Sequence, residues 1–163
     1  MPTFSRSINI EMDWLNQSCF AITGTLNDNV HSVNARLEVS FPHYEITAAE
    51  GGITRMPYPG YCQGAYKVLP KLIGLRIGRG FRRQASEILG GAASCNHLHT
   101  LINDMATSAF QMNYYAAKES ATPEWEELMR DDAKRRMVIL GWMPQLRNSC
   151  YVFSEEADKI FEE

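Results

Sequence analysis

Residues 6–50 alternate apolar and polar positions with period two, the mark of half-buried strands. Ile8, Ile10 and Met12 alternate with Ser7, Asn9 and Glu11, giving a strand over 6–13 and a turn at Trp14-Leu15-Asn16-Gln17. Ser18 to Leu26 returns, and Asn27-Asp28-Asn29 is a turn cluster. The clearest alternation sets Val33, Ala35, Leu37, Val39 and Phe41 against Ser32, Asn34, Arg36, Glu38 and Ser40, with His31 on the inward parity at its mouth. Pro42-His43 turns the chain, Tyr44 to Ala49 comes back, and Gly51-Gly52 ends the sheet. Short connections between consecutive strands predict an antiparallel meander.

After the proline-rich crossing Met56-Pro57-Tyr58-Pro59-Gly60 the period becomes helical. Tyr61, Ala65, Val68 and Leu69 share a face up to Pro70. Phe81 to Leu89 is a short helix closed by Gly90-Gly91. Leu98, Leu101, Ile102, Met105, Ala109 and Met112 follow core-helix spacing within an apolar segment that runs to Ala117. Pro123 opens a charged helix to about Leu140 whose face reads as solvated. Cys150 to Phe153 reads as a short strand and Ser154 to Phe161 as a last helical turn or two, with Ser154 as cap. The fold class is therefore α+β: a curved four-stranded antiparallel sheet followed by three or four helices packed on one face. One domain over 1–163 is expected, with the sheet in 6–50, core helices in 60–117, and a charged helix and tail in 118–163.

Composition narrows the function classes. The chain has 163 residues, 45% hydrophobic and 21% charged, with a net charge of −3. That balance fits a globular domain and excludes the basic surface that generic nucleic-acid binding requires. No apolar run reaches membrane-spanning length. The residues from Met1 to Arg6 lack the apolar core of a secretory signal. Cys19, Cys62, Cys95 and Cys150 are too irregularly spaced for a secreted disulfide framework. The expectation is a cytoplasmic protein with reduced thiols, with no nucleic-acid or membrane partner, and compatible with a homo-oligomer.

The candidate chemistry gathers at Gly90-Gly91-Ala92-Ala93-Ser94-Cys95-Asn96-His97-Leu98-His99. A helix start has unpaired N–H groups and a dipole that favours negative charge. Cys95, His97 and His99 are all metal-ligating residue types. Within a continuous helix, however, Cys95 and His99 lie ~40° apart and His97 ~160–200° from them, so one ion cannot take all three. His31 and Cys62 stand at other element ends, as satisfied structural residues or as members of the same cleft. Arg76, Arg79, Arg82 and Arg83 surround Gly78 and Gly80 and either clamp a carboxylate or phosphate or form a surface charge face. Met105, Met112, Tyr114, Tyr115 and Trp125 suit a core or an apolar pocket.

The segments Leu72-Ile73-Gly74-Leu75-Arg76-Ile77-Gly78-Arg79-Gly80-Phe81, Leu89-Gly90-Gly91 and Cys95-Asn96-His97-Leu98 resemble the signature of an uncharacterised bacterial domain-of-unknown-function family. The similarity extends over about residues 6–112, and that family's pattern has Cys95 and His97 without a fixed histidine at 99. A fainter resemblance is to iron–sulfur cluster assembly scaffold proteins, whose ligand places correspond here to Asn29, His31, Cys62, Cys95 and His97. Asn29 and His31 stand where those scaffolds carry a cysteine and an aspartate, which suggests the same cleft used for other chemistry.

The leading reading is a small-molecule enzyme of lyase or isomerase type, moving a proton on an apolar or aromatic acid, as in aromatic compound catabolism. It needs no cofactor. Its catalytic set is His97, His31, Cys95 and Tyr61, with Tyr66 a further oxyanion candidate, and its substrate-binding set is Arg76, Arg79, Arg83 and Tyr58. One alternative is a metal or iron–sulfur carrier holding zinc, iron or a cluster on Cys62, Cys95 and His97. Another is a non-catalytic ligand-binding protein.

Overall fold

The computed structural model describes residues 3–113, 116 and 122–161. The chain divides into two compact units, 1–113 and 114–163. Tyr114, Tyr115 and the expected helix end at Ala117 lie outside the described residues.

The first unit is a four-stranded antiparallel sheet in the order β1-β2-β3-β4, built from β1 (Arg6–Asn16), β2 (Cys19–Asp28), β3 (Ser32–Ser40) and β4 (Ile46–Arg55). The period-two pattern works out as read. Phe20, Ile22 and Leu26 pair with Val39, Leu37 and Val33 across β2 and β3, and all are buried on one face. Two boundaries differ. Trp14 to Asn16 continue β1, because Trp14 packs edge-on against Phe20 and Phe41. Gly51 and Gly52 do not end the sheet but lie inside β4, in register with Ala35 and Asn34. A Cβ on Gly51 would stand 2.6 Å from the Asn34 carbonyl oxygen and 2.9 Å from Leu69 Cδ1, so close backbone approach requires glycine there.

After β4 comes a single helical turn, α1 (Pro59–Cys62), then a 3₁₀ segment (Gln63–Leu72) that buries Leu69 and Leu72. This replaces the expected α-helix, since Gly64 and Pro70 both weaken the α geometry. Helix α2 (Phe81–Leu89) buries Phe81, Ala85 and Leu89, one residue per turn. It begins at Gly80, whose φ of 87° is a left-handed conformation that glycine adopts freely.

Helix α3 (Asn96–Ser108) buries Leu98, Leu101, Ile102, Met105 and Ala106. It packs on β2 and β3 and beside α2. Gly24, Ala35 and Gly51 form a row of small residues across β2, β3 and β4. Gly24 takes the helix closely: a Cβ there would meet Met105 Sδ at 2.6 Å and Leu101 Cδ1 at 2.9 Å. The sheet's small residues therefore set how deeply α3 sits.

The second unit departs more from expectation. The charged helix is two helices, α4 (Pro123–Arg130) and α5 (Asp132–Trp142), divided at Asp131, whose carboxylate accepts from the Lys134 N–H at 3.0 Å and so caps α5. Its charged residues are not all a solvated face, because the Arg136 side chain is only 10% exposed and pairs with Asp158 and the carbonyls of Val152 and Ser154. Tyr151–Phe153 is a 3₁₀ turn rather than a strand. Ser154 caps α6 (Glu155–Asp158) as expected, accepting from Ala157 N–H at 3.2 Å. No helix among the described residues is long and apolar enough to cross a membrane.

Candidate functional site

One end of the sheet brings together the start of β1, the end of β2, the start of β3 and the end of β4. Arg6 lies directly across the ladder from Asp28. The β2–β3 turn then folds on the Asp28 carboxylate. Oδ1 accepts from the Val30 N–H at 2.9 Å, the His31 N–H at 2.7 Å and the His31 Nδ1 at 3.1 Å. Oδ2 accepts from Arg6 Nε at 3.1 Å and Arg6 Nη2 at 2.7 Å. The Arg55 guanidinium donates to the backbone carbonyls of Asp28 at 2.5 Å and His31 at 3.1 Å, tying β4 into the same corner.

Asp28 is the one buried charged residue among those described, with a side chain 1% exposed. Burial alone would raise its pKa. The donors from Val30, Arg6 and His31 outweigh that and hold the carboxyl well below the usual range. An ionised carboxylate only accepts hydrogen bonds, so the His31 Nδ1 that faces it carries a proton.

The start of α3 supplies the other half. His97 stacks on His31 with ring centroids 3.8 Å apart at 29°. Its Nε2 is 3.9 Å from Asp28 Oδ2, an electrostatic rather than a hydrogen-bonding distance. Its Nδ1 is 3.6 Å from the sulfur of Cys95, which stands at the N-cap position of α3 without a side-chain cap hydrogen bond. Burial lowers the His97 pKa first, and electrostatic repulsion from His31 and Arg6 lowers it further against the opposing pull of Asp28. The imidazole is thus biased to its neutral form near neutral pH, the form that accepts a proton.

Asp28, His31 and His97 place donor atoms within 4.8 Å of one another, the spacing of a metal-binding group. The carboxylate oxygens already accept hydrogen bonds from Val30, His31 and Arg6, and the two imidazole faces lie nearly parallel. A metal ligand needs a free lone pair aimed at the ion. As arranged, these residues do not fit a metal without displacing Arg6.

The residues singled out in the sequence thus separate. His31, Cys95 and His97 come together. Cys62 lies half-buried near Tyr66, whose pKa is raised by burial and then by charge on Cys95 and Cys62. Tyr58 and Tyr61 are 66% and 86% exposed. Arg76 and Arg79 are exposed, and Arg83 pairs with Glu87 at 3.9 Å, as the surface-charge reading has it. His99 hydrogen-bonds Ser86 at 3.0 Å, away from its helix neighbour His97. Sequence patterning does not single out Asp28, Arg6 or Arg55. The one signal is the spacing of Asp28 three residues before His31, which lets a short carboxylate bond the following backbone in an Asx turn.

The second unit has a groove of about 240 Å³ lined by Arg135, Arg136, Ile139, Tyr151, Val152 and Phe153. Its arginines are held by Asp132 and Asp158, and among the described residues no comparable titratable cluster lines it.

The first unit is thus an α+β domain with an Asp–His–His–Cys cluster where a sheet end meets a helix start. Residues 9–111 match the family described as "Protein of unknown function (DUF2889)", and the chain belongs to that family. The matched span takes in Asp28, His31, Cys62, Cys95 and His97. No curated protein and no solved structure matches the chain.

Proposed function

We propose that the protein is a small-molecule enzyme in which His97 moves a proton, in lyase- or isomerase-type chemistry on an apolar or aromatic acid. The observation that carries this reading is the stacked His31–His97 pair over a buried, hydrogen-bonded Asp28. Asp28 fixes the orientation of the His31 ring through Nδ1, and His31 and Arg6 disfavour a proton on His97. A neutral imidazole in a half-buried corner is a general base near its working pH. Arg6, 38% exposed at its side chain, is better placed than Arg76, Arg79 or Arg83 to meet an anionic substrate beside the histidines. The four free thiols support a cytoplasmic setting, where cysteines stay reduced.

The test requires no identified substrate. A panel of small aromatic and aliphatic acids is incubated with the protein in D₂O and followed by proton NMR. Exchange of a carbon-bound proton by wild type and its loss in His97→Asn, with the fold intact by circular dichroism, is the expected outcome. Exchange that survives in His97→Asn, or none across the panel, overturns the reading.

The donor spacing of Asp28, His31 and His97 favours a second reading, a divalent-metal site. In that case stoichiometric zinc or iron copurifies, is lost in His31→Ala, and binds more tightly in Arg6→Ala. An iron–sulfur cluster has weaker support, since the donor group contains no cysteine.

A further inference from the structure

We infer that Cys95 is a nucleophile, that His97 is its base, and that the site forms a covalent S-acyl intermediate from an activated acyl compound such as an aryl ester or thioester. This rests on the reading of His97 as an acid–base group, but not on the lyase or isomerase label.

Three observations converge. The Cys95 sulfur lies 3.6 Å from His97 Nδ1, within reach of an S–H···N hydrogen bond. If Nδ1 accepts from sulfur, the neutral ring carries its proton on Nε2, and Nε2 faces the Asp28 carboxylate at 3.9 Å. Thiol, imidazole and carboxylate therefore stand in the order in which a base activates a nucleophile and a third group orients the base. The carboxylate is itself held by Arg6 and the His31 turn, so the orienting charge is fixed in place.

Cys95 is the N-cap of a thirteen-residue helix, and among the described residues no side chain caps the first-turn N–H groups. Those groups are donors beside the sulfur, suited to an oxyanion that develops on an attacked carbonyl. Tyr66 adds an independent sign. Its hydroxyl is buried with no hydrogen-bond partner among the described residues, and its pKa is raised by burial and then by charge on Cys95 and Cys62. A buried unpaired hydroxyl costs stability unless something at the site uses it.

In the acylation step His97 Nδ1 takes the thiol proton as sulfur bonds to the acyl carbon and the carbonyl electron pair moves to oxygen. The tetrahedral adduct collapses, the bond to the leaving alkoxide or thiolate breaks, and that group takes the proton from His97. Water then attacks the S-acyl carbon while His97 accepts its proton. The carbon–sulfur bond breaks, the sulfur is reprotonated, and the free acid leaves.

The experiment has two arms, both without a native substrate. In the first, the full chain is treated with iodoacetamide near neutral pH and each cysteine is followed by peptide mass spectrometry. Cys95 should alkylate at least about tenfold faster than the exposed Cys150, and that excess should vanish in His97→Gln. In the second, p-nitrophenyl acetate should release about one equivalent of nitrophenolate in a burst and leave an acetyl group on Cys95. Cys95→Ser, a one-atom change, should abolish the burst while keeping the circular dichroism spectrum.

Alkylation of Cys95 no faster than Cys150, or an excess that persists in His97→Gln, overturns the nucleophile assignment. Fast alkylation without acetylation overturns the acyl class. Deuterium exchange without thiol activation would leave the proton-transfer reading standing and sink this one alone.

Discussion

Gly24→Ala tests whether the position of α3, and with it the site, depends on the small-residue row of the sheet. The added Cβ would lie 2.6 Å from Met105 Sδ, 2.8 Å from Met105 Cγ and 2.9 Å from Leu101 Cδ1. Met105 and Leu101 are both fully buried, so neither can swing out to solvent. Overpacking of this kind costs about 1–3 kcal/mol. Alanine restricts the unfolded chain and returns about 0.4–1 kcal/mol. Three contacts under 3 Å put the cost in the upper half of that range, so the net loss is about 1–2.6 kcal/mol, a fall in urea midpoint of roughly 0.5–1.3 M for an m-value of about 2 kcal/mol/M.

The assay is urea denaturation of Gly24→Ala, Met105→Ala and the double variant. Met105→Ala alone costs about 2–5 kcal/mol, but it vacates the space that the new methyl group needs. The cycle should then show a favourable coupling of at least about 1 kcal/mol. Because α3 carries Cys95 and His97 at its start, the His97 ring resonances should also shift in Gly24→Ala. A variant as stable as wild type, or additivity in the cycle, would refute the claim that α3 seats on Gly24.

The remaining tests concern the site and its surroundings. The folded-state pKa of His97 is lowered, so below about 6.5 the unfolded chain binds the extra proton. Its contribution to stability is present above that pH and lost as pH falls, and urea midpoints at about pH 7.5 and 5.5 should converge in His97→Asn relative to wild type. The folded-state pKa of Asp28 is also lowered, so its contribution is present above about 3.9 and lost in stronger acid. Asp28→Asn should lower the melting temperature at neutral pH and narrow its fall on acidification. Arg83→Ala, which breaks only the exposed pair with Glu87, should change stability by about 0.5 kcal/mol or less and leave the site reactions unchanged.

The sheet is legible in the sequence because its information is local. Val33, Ala35, Leu37 and Val39 alternate strictly, and a one-residue slip would expose every one of them. Helix α2 is legible to its boundaries, bracketed by Gly80 and Gly90. Where the pattern misleads, a distant partner decides. Glycine at 51 looks like a stop, and only the Asn34 carbonyl across the ladder shows why it belongs inside β4. Position 131 looks like any acid in a charged run until its side chain caps a new helix. Half of the site is visible for a comparable reason. Histidine and cysteine are sparse enough to attract attention as residue types. Asp28 and Arg6 are ordinary charges, and their significance comes from facing each other across β1 and β2, a pairing that the turn cluster at 27–29 does not disclose.

The state of the Asp28 carboxylate decides between the chemistries open to this cluster. Donor spacing alone treats Asp28, His31 and His97 as equals and points toward a metal. Hydrogen bonding separates them. Asp28 is satisfied on both oxygens, so its role is to fix its neighbours: it orients the His31 ring, closes the β2–β3 turn and places a negative charge opposite His97 Nε2. His97 keeps a nitrogen directed at a thiol and a ring biased against protonation, which describes a base awaiting a proton. Arg6 controls the balance. With its guanidinium on Oδ2 the carboxylate is an orienting group, whereas without it that oxygen becomes an available donor. Arg6→Ala should therefore weaken any proton-transfer or acyl chemistry while raising affinity for zinc, and zinc titration of wild type and variant separates the two. Equal zinc binding by both would show that Arg6 does not hold the carboxylate, and the division of roles drawn here would fail with it.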